Sequence, residues 1–222
     1  MTQATVHLVR HGEVHNPEGV LYGRIPGFRL SALGRQMAQQ VADHFRARAD
    51  AGARIVYLAA SPLERAQETA QPIARALGLD IETEPRIVEA ENRFEGLSVT
   101  KHQLRNPRYW PLLINPLTPS WGEPYAGQVV RMMQAVDHAR EQAVALGAGD
   151  SPVEAILVSH QLPVWVTRLA AEGRRLWHDP RNRECTLTSV TSLIFNEGRL
   201  ARVDYAEPCA DLLPGATNIP GA

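Results

Sequence analysis

A chain of 222 residues with a formal net charge of −1 has room for one large domain and carries no overall field that would draw it to nucleic acid or to an anionic membrane. Apolar residues make up 44% and charged residues 21%, as in ordinary soluble domains, so any preference for anions has to be local. The two cysteines, Cys185 and Cys209, have no CxxC or metal-type spacing. Together with the lack of a secretory signal or an apolar run of membrane length, they lead us to expect a cytoplasmic protein.

Residues 5–9 (Thr-Val-His-Leu-Val) read as a buried strand that runs out into Arg10-His11-Gly12-Glu13. In open α/β sheets, ligands bind just beyond the carboxyl ends of strands. A histidine there serves as nucleophile, base or metal ligand. The adjacent Arg10 disfavours a cation and suits an oxyanion such as phosphate, which a guanidinium grips with two hydrogen bonds. Gly12 permits a sharp turn or a close approach to a ligand.

A Gly- and Pro-rich loop follows, carrying His15, Asn16, Tyr22 and Arg24. Ser31 caps an expected helix over residues 32–48, and residues 54–60 form a second strand. Ser61-Pro62-Leu63-Glu64-Arg65 reads as a capping box that opens a helix over 62–77 and places Arg65 in its first turn. The N-terminus of that helix offers free N–H groups to an anion. Residues 81–88 suggest a short strand ending at Glu89. From 89 to 125, prolines, aromatics and basic residues crowd together (Arg93, Lys101, His102, Arg105, Arg108), which marks an insertion with short helices. A long helix is expected over 125–146, and a third apolar strand over 154–158. Ser159-His160-Gln161 then opens a helix over 162–172. A basic loop spans 173–183, and a hairpin turns at Asn196-Glu197-Gly198. Alternation of strands and helices predicts an α/β fold, a three-layer α/β/α arrangement with a mostly parallel central sheet.

Three strand ends thus deliver Arg10-His11, Ser61 with Arg65, and Ser159-His160. Parallel strands end on one edge, so two arginines, two histidines and a helix N-terminus can converge on a small dianion. No carboxylate cluster suggests a metal site.

Arg10-His11-Gly12-Glu13, Ser61-Pro62-Leu63-Glu64-Arg65-Ala66 and Ser159-His160, in that order and each after an apolar strand, resemble the three signature segments of the histidine phosphatase superfamily, the phosphoglycerate mutase-like family. The resemblance implies a single domain over residues 1–222, with the insertion at 89–125 forming a cap over the site. It implies His11 as a nucleophile that forms a phosphohistidine, its second ring nitrogen held by a backbone carbonyl near Gly12. Arg10, Arg65 and His160 would bind the non-bridging oxygens, and Asn16 and Gln161 would add donors. A glutamate supplies the leaving-group proton in this family. Here the segment Glu89-Ala90-Glu91-Asn92-Arg93-Phe94-Glu95-Gly96 is one residue short of the family pattern and lacks its inner glycine. Glu89 is the choice and Glu91 the fallback. Val14, where the family usually has threonine, and Gln161, where it often has glycine, bear on the substrate more than on the chemistry.

The expected activity is metal-independent hydrolysis of a small phosphomonoester, with no cofactor. The expected partner is a small phosphorylated metabolite, with neither nucleic acid nor membrane involved; homo-oligomer formation is left open. A phosphoglycerate-type mutase is the nearest rival, although the insertion lacks the adjacent arginine pair associated with true mutases. A non-catalytic phospho-ligand binder is another. Arg181 and Arg183 read mainly as a solvated basic loop. His7, His44, His102, His138 and His178 read as structural or solvated.

Overall fold

The computed structural model describes residues 3–97, 122–147 and 152–216. β1 (Gln3–Arg10) is buried from Ala4 through Arg10, because it lies in the middle of the sheet with helices on both faces. Its side chains alternate between the two layers. Val6 and Leu8 enter one core with Met132, Val136, Trp165 and Leu169. Val9 enters the other with Met37, Val41, Phe45 and Ile73.

The remaining elements follow the expected order: α1 (Ala32–Asp50), β2 (Ile55–Ala60), α2 (Glu64–Leu77), β3 (Glu82–Thr83), α3 (Tyr125–Leu146), β4 (Val153–Ser159), α4 (Gln161–Ala171), β5 (Val190–Asn196) and β6 (Arg199–Ala206). The six strands form one sheet in the order β3-β2-β4-β1-β5-β6. β1, β2, β3 and β4 are mutually parallel, whereas β5 runs antiparallel to β1 and β6 antiparallel to β5. α1 and α2 cover one face and α3 and α4 the other. Ser31 caps α1 as expected, accepting the N–H of Gly34. α2 ends at Gly78 in the left-handed conformation, φ 68°. Neither Cys185 nor Cys209 forms a disulfide, and both are buried. Among the described residues, no helix is long and apolar enough to cross a membrane.

Two expected elements are shorter in the structure. The stretch 81–88 is a strand only at Glu82–Thr83 and then forms a 3-10 turn at Pro85–Ile87. Pro85 has no N–H for a ladder, and the Glu84 side chain accepts the N–H of Arg86, which favours the turn. α2 starts at Glu64 rather than Pro62, and Leu63 occupies its cap position with no side-chain bond. The Ser61 hydroxyl has another partner, described below. Residues 98–121 of the 89–125 insertion lie outside the described residues. At its base, Asn92 pairs with Gly122 in an isolated antiparallel bridge, so the chain leaves and returns at one point.

The loop after β1 crosses the start of α1 at backbone distance. A Cβ on Gly12 would sit 2.6 Å from the Gly34 carbonyl oxygen, and one on Gly34 would run into the carbonyl oxygen of Glu13. Ser31 fixes the crossing, its hydroxyl donating to the Glu13 carboxylate while accepting from Gly34. The glycines therefore serve a close approach of helix to loop, not of ligand to loop. Gly34→Ala should lower stability by about 1–3 kcal/mol, the usual cost of overpacking. Gly127→Ala, on an exposed turn of α3 with no described residue within 4 Å of the added methyl, should raise it by about 0.5–1 kcal/mol. Urea unfolding of the two variants beside the parent checks the contrast.

Candidate active site

The three parallel strands that carry the site are neighbours, β2-β4-β1. Arg10 is in register with Ser159, and Ala60 with Val158. Past these pairs the backbone stays tied, with His11 N–H donating to the Ser159 carbonyl (3.0 Å) and Ser61 N–H to that of Val158 (2.9 Å). Arg10, His11, Ser61, Arg65, Ser159 and His160 are thereby gathered on one edge, all of them buried.

His11 Nδ1 lies 2.8 Å from the carbonyl oxygen of Gly12. A carbonyl only accepts, so the proton sits on Nδ1 and the lone pair on Nε2. Arg65 Nε donates to that Nε2 at 3.3 Å. Burial, with Arg65 and then Arg10 adding to it, holds the pKa of His11 well below 6.5, so the ring is neutral at physiological pH. Arg65 is locked from its other side: Nη2 donates to the Gly23 carbonyl at 2.6 Å, and its guanidinium lies 4.7 Å from the centre of the Tyr22 ring. Arg10 Nη1 donates to the Cys185 carbonyl at 2.8 Å. Thr69, one turn after Arg65, accepts the N–H of Gly12 and donates to the Arg65 carbonyl. It thus couples the first motif to the second.

The His160 ring centre stands 5.2 Å from that of His11. His160 Nε2 is 2.7 Å from Ser61 Oγ, and the same oxygen accepts the N–H of Leu63 at 3.4 Å, ahead of the first residue of α2. His160 Nδ1 is buried without a hydrogen-bond partner among the described residues. Burial first, and then Arg65, depress its pKa well below 6.5. Ser159, beside it, donates to the Ile87 carbonyl at 2.7 Å and so ties the turn before Glu89 to the end of β4.

The two candidate glutamates occupy different environments. Glu89 is 3% exposed; its Oε1 accepts the N–H of Ala90 and its Oε2 is buried with no partner among the described residues. Burial raises its pKa against the opposing pull of the Ala90 N–H and of Arg65, Arg183 and Arg10. The Glu91 side chain is 72% exposed and pairs with Arg24. The environment of a proton donor belongs to Glu89.

Two further expected site residues are engaged elsewhere. The Asn16 amide bonds the backbone of Val20 with both ends, Nδ2 to its carbonyl at 2.8 Å and Oδ1 from its N–H at 3.2 Å, and so shapes its own loop. The Gln161 side chain accepts from Arg183 Nη1 at 3.1 Å. Gln161 is also the first residue of α4, so the backbone there faces the site as a helix N-terminus. His15 is exposed, and Arg181 is an exposed partner of Asp179. Sequence reading missed Thr69 and underrated Tyr22 and Arg183, none of which sits in a signature segment as a charged, strand-ending group. Among the described residues, no group of three or more His, Cys, Asp or Glu is placed to hold a metal ion.

A family model described as the histidine phosphatase superfamily (branch 1) matches residues 6–207. The chain is 54% identical over 210 residues to an uncharacterized protein of Mycobacterium tuberculosis, covering 94% of this chain and 98% of that one. It is 31% identical over 191 residues to a probable phosphoglycerate mutase of Proteus mirabilis, covering 83% of each. Among solved structures, a mycobacterial glucosyl-3-phosphoglycerate phosphatase superposes with a TM-score of 0.68 at 19% identity, over 91% of this chain and 97% of that one. That likeness is one of fold.

The raised pKa of Glu89 sets a test. A carboxyl whose folded pKa lies above its ordinary 4.5 binds more protons folded than unfolded between the two values, so the parent loses stability as pH rises through that window. Glu89→Gln lacks this loss. Its stability relative to the parent should therefore climb from about pH 4.5 and level off above the folded value. The gain should be about 1.4 kcal/mol for each pH unit separating the two values. Urea unfolding of both proteins between pH 5 and 8 reads the trend, and a flat difference contradicts the assignment.

Proposed function

The chain belongs to the histidine phosphatase superfamily, and on that premise we propose that it is a metal-independent phosphatase that hydrolyses a small phosphomonoester through a phosphohistidine on His11. The observation that carries the reading is the Nδ1-to-Gly12 hydrogen bond, which leaves a neutral imidazole with its Nε2 lone pair beside Arg65.

In the first step His11 Nε2 attacks phosphorus in line with the ester oxygen, an N–P bond forms and the P–O bond breaks. Arg10, Arg65 and His160 hold the non-bridging oxygens. The orphaned Nδ1 of His160 donates to one of them when Nε2 accepts the Ser61 hydroxyl proton. Phosphoryl transfer needs mainly positioning and charge stabilisation, which such a cradle supplies. Glu89, whose pKa burial raises, gives its proton to the departing alkoxide. In the second step water attacks phosphorus, the Glu89 carboxylate takes its proton, the N–P bond breaks and phosphate leaves with the ring neutral again. The charge of the pocket comes from arginine, so a divalent cation has no role in these steps, and EDTA should leave turnover intact.

The likeness to the Proteus mirabilis protein favours one second reading, transfer of the phosphoryl group to another hydroxyl. Interconversion of 3- and 2-phosphoglycerate, assayed with and without the bisphosphate, separates mutase from phosphatase.

Rapid mixing with labelled substrate and an alkaline quench should leave base-stable, acid-labile phosphate on the protein, absent in His11→Ala. Label that persists in that variant refutes the nucleophile. Glu89→Gln should slow phosphoenzyme formation from an alkyl phosphate by roughly 10²–10⁴-fold, and from nitrophenyl phosphate far less, since a phenolate hardly needs a proton. Single-turnover bursts keep the second step out of the comparison. Selective loss in Glu91→Gln instead would move the acid to Glu91.

A further inference from the structure

β5 is antiparallel to β1, so it presents its beginning, not its end, at the edge where the histidines lie. The segment leading into it is bonded to the site: Arg10 N–H donates to the Ser189 carbonyl, Thr188 N–H to that of His11, and Arg10 Nη1 to that of Cys185. Thr188 is buried and held at φ 54° to make this turn. Arg183 stands two residues before Cys185.

The Arg183 guanidinium is fixed by two neutral acceptors. Nε donates to His178 Nε2 at 2.9 Å and Nη1 to Gln161 Oε1 at 3.1 Å. Both acceptors are themselves oriented. His178 Nδ1 lies 2.7 Å from the Leu176 carbonyl, so it carries the proton and leaves Nε2 to accept. The ring packs beside Tyr125 and Trp165, with centres 5.4 and 6.0 Å apart. The Gln161 amide directs its Nε2 toward the Cys185 carbonyl. Among the described residues Arg183 has no carboxylate ion pair, unlike Arg24, Arg131 and Arg168, which each have at least one. It is half-buried, and among the charges around it Glu89 acts on it most strongly. A partly buried cation held only by neutral groups is costly unless an anion arrives to meet it.

Arg183 is thus tied to Gln161, the residue that follows His160 at the start of α4, and so borders the phosphate cradle. Resting on the phosphatase reading above, we infer that Arg183 is a specificity residue which selects phosphomonoesters whose leaving group carries a second anion, a carboxylate or another phosphate, close to the ester oxygen.

The test is a ratio of kcat/KM values for matched esters, phosphoglycolate over ethyl phosphate, in the parent, Arg183→Gln and Arg183→Lys. A second arm replaces phosphoglycolate by ethanediol bisphosphate and so distinguishes carboxylate from phosphate. The ratio cancels any loss in the shared phosphate chemistry. The parent should favour at least one anionic ester. Arg183→Gln should cut that preference by on the order of 10–100-fold, the cost of a lost charge-assisted hydrogen bond. Arg183→Lys should recover part of it, keeping the charge without the fork. A merely structural role would slow both esters alike and leave the ratio unmoved; an effect routed through Glu89 would shift both pH profiles together. Either result overturns the inference, as does a parent that prefers ethyl phosphate to both anionic esters. If no ester is turned over, the phosphatase reading fails on its own. The same ligands then go to calorimetry, where the ratio of dissociation constants across the three proteins decides the role of Arg183 by the same criterion.

Discussion

One hydrogen bond sets the character of the pocket, that between His11 Nδ1 and the carbonyl of the next residue. It fixes the tautomer, aims the lone pair of Nε2 and gives Arg65 an acceptor rather than a rival cation. The bond exists because the Gly12 carbonyl is held in place: its own N–H is bonded to Thr69 and its Cα is pressed against the backbone of Gly34. The orientation of the His11 Nε2 lone pair therefore depends on the packing of α1 and α2 against the loop.

The site and the fold were legible in the sequence to different depths. His11, Arg10, Arg65 and His160 could be read because each sits where an apolar run ends or a helix begins, and the parallel neighbours β2, β4 and β1 bring such ends together of necessity. The bounds of α3 were legible for a similar reason, since Gly147 stops a long helical pattern. Ser61 was misread as a helix cap because serine before proline and glutamate has that local meaning. Its bond to His160 spans 99 positions and leaves no trace in local pattern. The strand expected over 81–88 failed at Pro85, whose missing N–H outweighed the apolar alternation around it. Arg183 was hidden by topology. Reading strand ends finds what parallel strands deliver, and an antiparallel strand delivers the residues before it.

Glu89 and His160 show how one burial shifts two groups in opposite senses. The same loss of water that lowers the pKa of the histidine raises that of the carboxyl. Among the described residues each also keeps one polar atom without a partner, Nδ1 of His160 and Oε2 of Glu89, as few buried polar groups in native interiors do. The tether from Ser159 to Ile87 keeps the two environments in fixed relation.

The outer strands of the sheet have a consequence for the molecule's behaviour in a crowded solution. On one side β3 offers two residues, Glu82 and Thr83, too few to template a new ladder. On the other, β6 carries Arg199, Arg202 and Asp204 along a largely exposed strand, and the β5–β6 register slips between Ile194 and Phe195. Charges and a bulge on a rim are the devices by which β-proteins refuse a further strand. The sheet that concentrates reactive groups at one edge is closed to growth at both sides, so neither rim invites fibrous stacking of one molecule on the next.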